Sequence, residues 1–150
     1  MPRSRRWGDE SGSASLEFLT AGLVLLVPLV YLVLMLSTVQ AAAFAVESAA
    51  RQAARVFAQA PDAAAGESAL QRAVGVALAD HGLAPDAASV LLVCAPDPGD
   101  CLHRGGTVTV SVTTTVPLVP APAAIAADLP AAVPLQASAT VPVSRFRSGG

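Results

Sequence analysis

The sequence predicts an α+β protein. A long N-terminal transmembrane helix, kinked at a proline, continues into a small domain with a second helix and a three-stranded antiparallel sheet. Two observations lead to this class. Phe18 to Val46 carries no charged residue, and as a helix it would be about 44 Å long, whereas crossing a hydrocarbon core takes roughly 20 residues. Beyond Pro85 the apolar residues alternate with polar ones, as in half-buried strands. The 150 residues leave room for one anchor and one small domain.

The first helix is predicted from about Ser13 to Ala58, after a polar, basic leader over residues 1–12 that we expect to be disordered. Pro28 inside an apolar helix predicts a kink and not a stop. Beyond the membrane the helix is expected to continue and to pack against the domain through an apolar stripe. The stripe consists of Phe44, Val46, Ala50, Ala53 and Phe57. The opposite face holds Glu47, Arg51, Gln52 and Arg55. The predicted parts are thus the leader 1–12, the helix 13–60 and the domain 61–150.

The domain begins with a second helix within Ala63 to His81, because Leu70, Val74, Ala77 and Leu78 recur at helical spacing and Gly82 can end it. Three strands follow, at Ser89 to Cys94, Thr107 to Val116 and Pro134 to Val143. Pro142 marks the third as an edge strand or one that ends there. Pro117 to Ala132 is rich in Pro and Ala, with a short helix expected near Ala121 to Asp128. Ser144 to Gly150 is expected to be a frayed tail.

Two cysteines, Cys94 and Cys101, enclose a turn-forming stretch of Pro, Asp and Gly between two predicted strands. This arrangement favours a disulfide, which would close a short loop. A metal site that uses both cysteines and His103 is an alternative, although structural zinc normally needs four ligands. Free thiols are the third possibility.

The remaining composition argues against two function classes. The nine basic residues are all Arg and form no dense patch, so nucleic-acid binding is not predicted. His81 and His103 stand alone, and no nucleotide-binding loop or nucleophile motif occurs. We therefore expect neither an enzyme nor a bound cofactor.

Glu17 is a carboxylate at the start of the apolar segment, after a glycine and four small or apolar residues. One interpretation is that it lies at headgroup depth near the positive end of the helix. However, a basic leader is followed here by Gly12, then by Ser13-Ala14-Ser15-Leu16, and then by Glu17-Phe18. This arrangement resembles the class III signal sequence of type IV pilin precursors, especially the Flp/Tad branch. The resemblance implies that a prepilin peptidase cuts between Gly12 and Ser13 on the cytoplasmic side. Phe18 departs from the tyrosine usual in Flp pilins.

The resemblance also implies an assembly role for Glu17, and the spacing is consistent with it. Cleavage would free the α-amine of Ser13, one helical turn from Glu17, and that carboxylate would pair with its own amine or with a neighbour's. Such pairing would set the register between subunits packed side by side. Small residues in the apolar segment would allow close helix approach; they are Ala21, Gly22, Ser37 and Ala41 to Ala43.

The whole chain resembles TadE-like minor pilins, or pseudopilins, of actinobacterial Tad systems. The resemblance rests on the leader, the long helix through "ESAARQAARVFA", and the "CAPDPGDC" hairpin before a Val/Thr strand. It implies a role in Tad pilus assembly and secretion, with prepilin peptidase, other Tad pilins and the assembly platform as partners. Arg3, Arg5 and Arg6 predict a single pass of the cytoplasmic membrane with the N-terminus inside and the domain outside, whether or not the chain enters a pilus.

Two alternatives remain open. The chain could be a single-pass anchor for an extracytoplasmic binding domain unrelated to pili. Alternatively, Met1 to Ala43 is a secretory signal peptide cut near "VQAAAFA", although its apolar region exceeds the usual length.

Overall fold

The structure is a computed structural model that describes residues 11–118 and 132–147, with the side chains of residues 11–13 outside the description. The elements are helix α1 (Ser11–Gln59), helix α2 (Ala63–Ala79), a short 3₁₀ turn (Pro85–Ala87), and strands β1 (Ser89–Ala95), β2 (Thr107–Pro117) and β3 (Ala132–Pro142). This confirms the predicted α+β class. Most of the predicted leader and the helix expected near Ala121 to Asp128 lie outside the described residues.

Helix α1 has 49 residues and begins at Ser11, so its first turn includes Gly12, which was predicted to belong to the leader. The cost of glycine relative to alanine, about 1 kcal/mol, applies to a helix interior, so Gly12 is tolerated in the first turn. The helix continues through Pro28, and the kink stays a prediction. The chain divides into two compact units, Met1–Leu36 and Ser37–Gly150. The second unit therefore begins within α1, before the predicted domain start at residue 61.

The second half of α1 forms one wall of the domain core. Its buried side chains are mostly small, namely Ala42, Ala45, Val46, Ala49, Ala50, Ala53, Ala54 and Phe57. Phe44, predicted to belong to this stripe, is 67% exposed. The prediction was wrong because residues two positions apart point about 200° apart around a helix, which places Phe44 opposite Val46. Alanines at this surface let neighbouring elements approach closely.

Helix α2 has the predicted bounds and core face. The Asp62 carboxylate accepts a hydrogen bond from the backbone N–H of Ala65 at 2.8 Å and caps the helix N-terminus. After the helix, Gly82 has a φ of 70°, a left-handed conformation that glycine adopts without strain. The buried positions are Gly66, Leu70, Val74 and Leu78, whereas the predicted Ala77 is half-buried.

The three strands form an antiparallel sheet in the order β1-β2-β3. In the central strand, the inner face is buried at every second position, with Val108, Val110, Val112, Thr114 and Val116. Three of these valines, Val108, Val110 and Val112, belong to one core cluster with Val46, Phe57 and Leu70, so the sheet packs on α1 and α2. β3 is an edge strand that ends at Pro142, as predicted. Thr114, at 2% exposure, is a polar residue on the face predicted to be apolar.

The C-terminal stretch Ser144 to Arg147 is held in place, so the predicted fraying is wrong over these residues. The Arg147 guanidinium donates hydrogen bonds to the backbone carbonyls of Ala58 at 3.5 Å, of Pro61 at 2.5 Å, and of Ala60. The last carbonyls of a helix have no intrahelical partner. Arg147 therefore caps the C-terminus of α1 with a charge of favourable sign.

Candidate functional site

The most unusual surface of the described chain is the N-terminal part of α1. We call residues 14–36 the apolar segment. Every residue from Ala14 to Val30 is exposed, and the side chain of Phe18 is 77% exposed. α1 is the one described helix long and apolar enough to cross a membrane. Burying one large apolar side chain contributes about 1.5–3 kcal/mol, so a helix that is apolar all round requires an apolar environment.

Glu17 interrupts this segment near its start. Its side chain is exposed, and no ion pair of Glu17 occurs within the described residues. The backbone of Ser13 lies four residues earlier in the same helix, which is about 6 Å along the axis. Thr20, the next polar residue, already donates its hydroxyl to the Leu16 carbonyl at 2.7 Å. Glu17 is therefore a carboxylate available to a cation at or near the helix N-terminus.

Gly12 and Ser13 lie in the first turn of α1, where the described structure is limited to the backbone. The first turn is the least stable part of a helix because its N–H groups lack intrahelical partners. Cleavage between these two residues stays a prediction.

Where α1 enters the second unit, it carries the predicted ion pair. The Arg51 guanidinium lies 2.7 Å from the Glu47 carboxylate, one turn away. Both side chains are largely in contact with solvent, so the pair contributes little to stability. It does offset one of the two positive charges that follow the apolar segment, which matters for membrane orientation.

Cys94 and Cys101 form a disulfide, with their Cα atoms 5.0 Å apart. Between them, the Asp97 carboxylate accepts a hydrogen bond from the backbone N–H of Gly99 at 2.8 Å. The bond rules out the metal alternative at the cysteines, because both sulfurs are occupied. His103 instead has Nδ1 3.8 Å from an oxygen of Asp100, a pair that is charged only when His103 is protonated. Since Cys94 is buried at the end of β1, the disulfide ties the hairpin to the core.

An open hollow lies beside this hairpin, between the α1–α2 turn and the loop that follows Cys101. The polar side chains lining it include Asp62, His103 and Arg147. Asp62 and Arg147 already cap helix ends there, so these two groups have structural roles. The hollow thus supports no particular ligand.

Sequence reasoning missed two features of the second unit. Arg147 was overlooked because a lone arginine near a chain end gives no periodic signal. Leu91 and Val93 of β1 are 62% and 50% exposed, since they lie on the outer face of the sheet. Within the run "SVLLVC" their exposure had no sequence signal, because all neighbours are apolar as well.

Compared with known proteins, the chain matches no family model, no curated protein and no solved structure.

Proposed function

We propose that this chain is a minor pilin or pseudopilin of a Tad-type pilus assembly system, processed by a prepilin peptidase and active in pilus biogenesis. Its partners are that peptidase, other Tad pilins and the assembly platform. It lies in the cytoplasmic membrane as a single-pass protein, with the C-terminal domain on the extracytoplasmic side.

One observation carries the proposal. The exposed apolar segment and the core wall of the domain belong to one uninterrupted helix, α1. A generic anchor is usually joined to its domain by a linker, because the domain folds without the anchor. Here the helix that contains the apolar segment continues without a break and forms part of the domain core, as in a pilin subunit. The signal-like sequence around Gly12 adds to this support.

Three further observations support the proposed location. The Cys94–Cys101 disulfide is typical of an oxidising compartment, outside the bacterial cytoplasm. The three arginines of the leader favour a cytoplasmic N-terminus. The Glu47–Arg51 ion pair weakens the opposing charge on the far side of the apolar segment.

Glu17 has the assembly role in this proposal. An unpaired carboxylate in a helix within the bilayer costs about 2.5–3.5 kcal/mol at the centre and less near the interface. Pairing with the amine of Ser13, its own or a neighbour's, removes this cost and fixes the register between subunits.

The test is cleavage in a reconstituted system. The full chain with a C-terminal tag is expressed in a host that lacks prepilin peptidases, with and without an added Tad-type peptidase. We expect a shift to a smaller product only when the peptidase is present. Gly12→Leu should abolish the shift, because a side chain is placed at the scissile bond. Gly8→Leu, which changes a glycine of the same leader, is the matched control and should still be cut.

Other outcomes distinguish the alternatives. A chain that keeps its full length with several active Tad peptidases is a generic anchored protein. A soluble product that starts near Phe44 in the absence of the peptidase identifies a secretory signal peptide.

A further inference from the structure

The two edges of the sheet differ in how they are protected against pairing. An edge strand exposes unpaired backbone N–H and C=O groups, and proteins usually block it with prolines, charges or a covering element. β3 contains Pro134 and Pro142. β1 has neither a proline nor a charged residue along its seven residues, "SVLLVCA". The β1 edge is therefore the one open to another strand.

The outer face of the described sheet carries no charge, and the side chains on it differ between β1 and the other two strands. On β2 and β3 the hydroxyls pair with one another: Thr109 with Thr140 at 2.8 Å, and Ser111 with Ser138 at 2.7 Å. On β1 the outward residues include Leu91 and Val93, which are exposed. No charged side chain stands at an outward position of the described strands. Two copies can therefore pair edge to edge at β1, in a self-complementary contact, without like-charge repulsion between neighbouring outward side chains.

We infer that β1 pairs antiparallel with β1 of a second copy of this chain, so that two sheets join into one six-stranded sheet. The sequence of β1 is self-complementary in a register centred on Leu92. There, Leu91 of each copy stands directly opposite Val93 of the other copy, and both pairs lie on the outer face. Directly opposed side chains in an antiparallel pair have Cβ atoms about 4.5–5.5 Å apart, so the two exposed apolar side chains of each copy cover one another.

The small area of the contact determines the conditions under which two copies associate. A strand of this length is about 24 Å long, and its pairing buries less than the roughly 1,200 Å² of a stable interface. Association is therefore weak in dilute solution. Copies anchored in the same membrane are held at a high effective concentration, and there a weak contact is sufficient. The contact involves residues of the second unit alone. It rests on the proposed membrane location, and not on cleavage at Gly12 or on a role in pili.

The experiment is photo-cross-linking of the full chain in membranes. Two copies with different tags are co-expressed, with p-benzoylphenylalanine in place of Leu91, and the membranes are irradiated. We expect an adduct that carries both tags and maps to β1 of the second copy. The matched control places the same probe at Gln136, an exposed outward position on β3, and should give no such adduct.

A charge variant tests the register. With the probe at Leu91, Val93→Lys should lower the adduct about tenfold, because the lysine stands opposite the probe and introduces charge at the apolar contact. Gln136→Lys should leave it unchanged, and resistance to trypsin should show that both variants are folded. The inference is overturned by an absent adduct, by equal adducts at Leu91 and Gln136, by an adduct to another polypeptide only, or by a Val93→Lys variant that cross-links normally. Each result leaves the leader cleavage assay unaffected.

Discussion

The packing of α2 on α1 depends on a glycine, and a pair of glycine substitutions tests it. A Cβ atom added at Gly66 would lie 3.0 Å from Cδ2 and 3.1 Å from Cε2 of the Phe57 ring, and 3.2 Å from Cβ of Ala60. The ring is 1% exposed, so it can move away only by displacing other core side chains. At Gly75, on the same helix, the closest atom would be Cβ of Pro85 at 3.9 Å, which is ordinary contact.

The magnitudes follow from two opposing effects. Replacing a helical glycine by alanine contributes about 1 kcal/mol of helix propensity at both positions. Overpacking a filled core costs about 1–3 kcal/mol, and this cost applies only to Gly66→Ala. Gly75→Ala should therefore raise the free energy of unfolding by up to about 1 kcal/mol. Gly66→Ala should be less stable than Gly75→Ala by about 1–3 kcal/mol.

Pulse proteolysis of the full chain in detergent micelles over a urea gradient measures the difference. With an m-value of about 1.5 kcal/mol/M, the midpoints of the two variants should be about 0.7–2 M apart. Equal midpoints would show that α2 does not approach Phe57 as closely as described, and would refute the packing of the two helices.

Three further predictions concern other parts of the chain. Cys94→Ala with Cys101→Ala should lower the stability of the domain by about 2–3 kcal/mol, as expected for so short a loop; unchanged resistance to proteolysis would contradict this. Arg147→Ala should destabilise the domain by about 1–2 kcal/mol and Arg147→Lys by less, measured by the same urea midpoint, because lysine lacks the planar set of donors that reaches several carbonyls. Glu17→Gln should leave cleavage intact but reduce co-purification with partner pilins, whereas Glu47→Gln should not; equal recovery of both variants would argue against the register role of Glu17.

The sheet was the most predictable part of the fold. In a half-buried strand, valine that alternates with threonine or serine lies on the buried face. The inner face of β2 therefore followed from the sequence pattern. Thr114 was the exception, since a hydroxyl at a core position breaks the pattern without moving the strand. The end of α2 was equally predictable, because Gly82 is a strong stop signal. Asp62 caps the start of the helix, a signal that the prediction did not use.

The core face of α1 was less predictable. It consists largely of alanines, and the small side chain of alanine marks a core face less clearly than a large apolar side chain does. Phe44 was assigned to the core face because it is large and apolar, although its position around the helix places it on the exposed side. The contact of Arg147 with the end of α1 joins residues 87 positions apart, as for its bond to Ala60. No local pattern encodes such a contact.

The position of Glu17 in the fold was predictable from the sequence, and its role stays a prediction. The sequence placed Glu17 at the start of an apolar helix, and the structure agrees. In the proposed role, the partner of Glu17 is the amine that cleavage would create at Ser13, and the uncut chain does not contain it. The disulfide followed from the turn-forming residues between the cysteines.

The N-terminal residue of the chain purified from the membranes of its own host tests the central claim most directly. Intact-mass spectrometry should find a chain that begins at Ser13 and retains the complete apolar segment. A chain that begins at Met1 or Pro2, or near Phe44, would contradict the account.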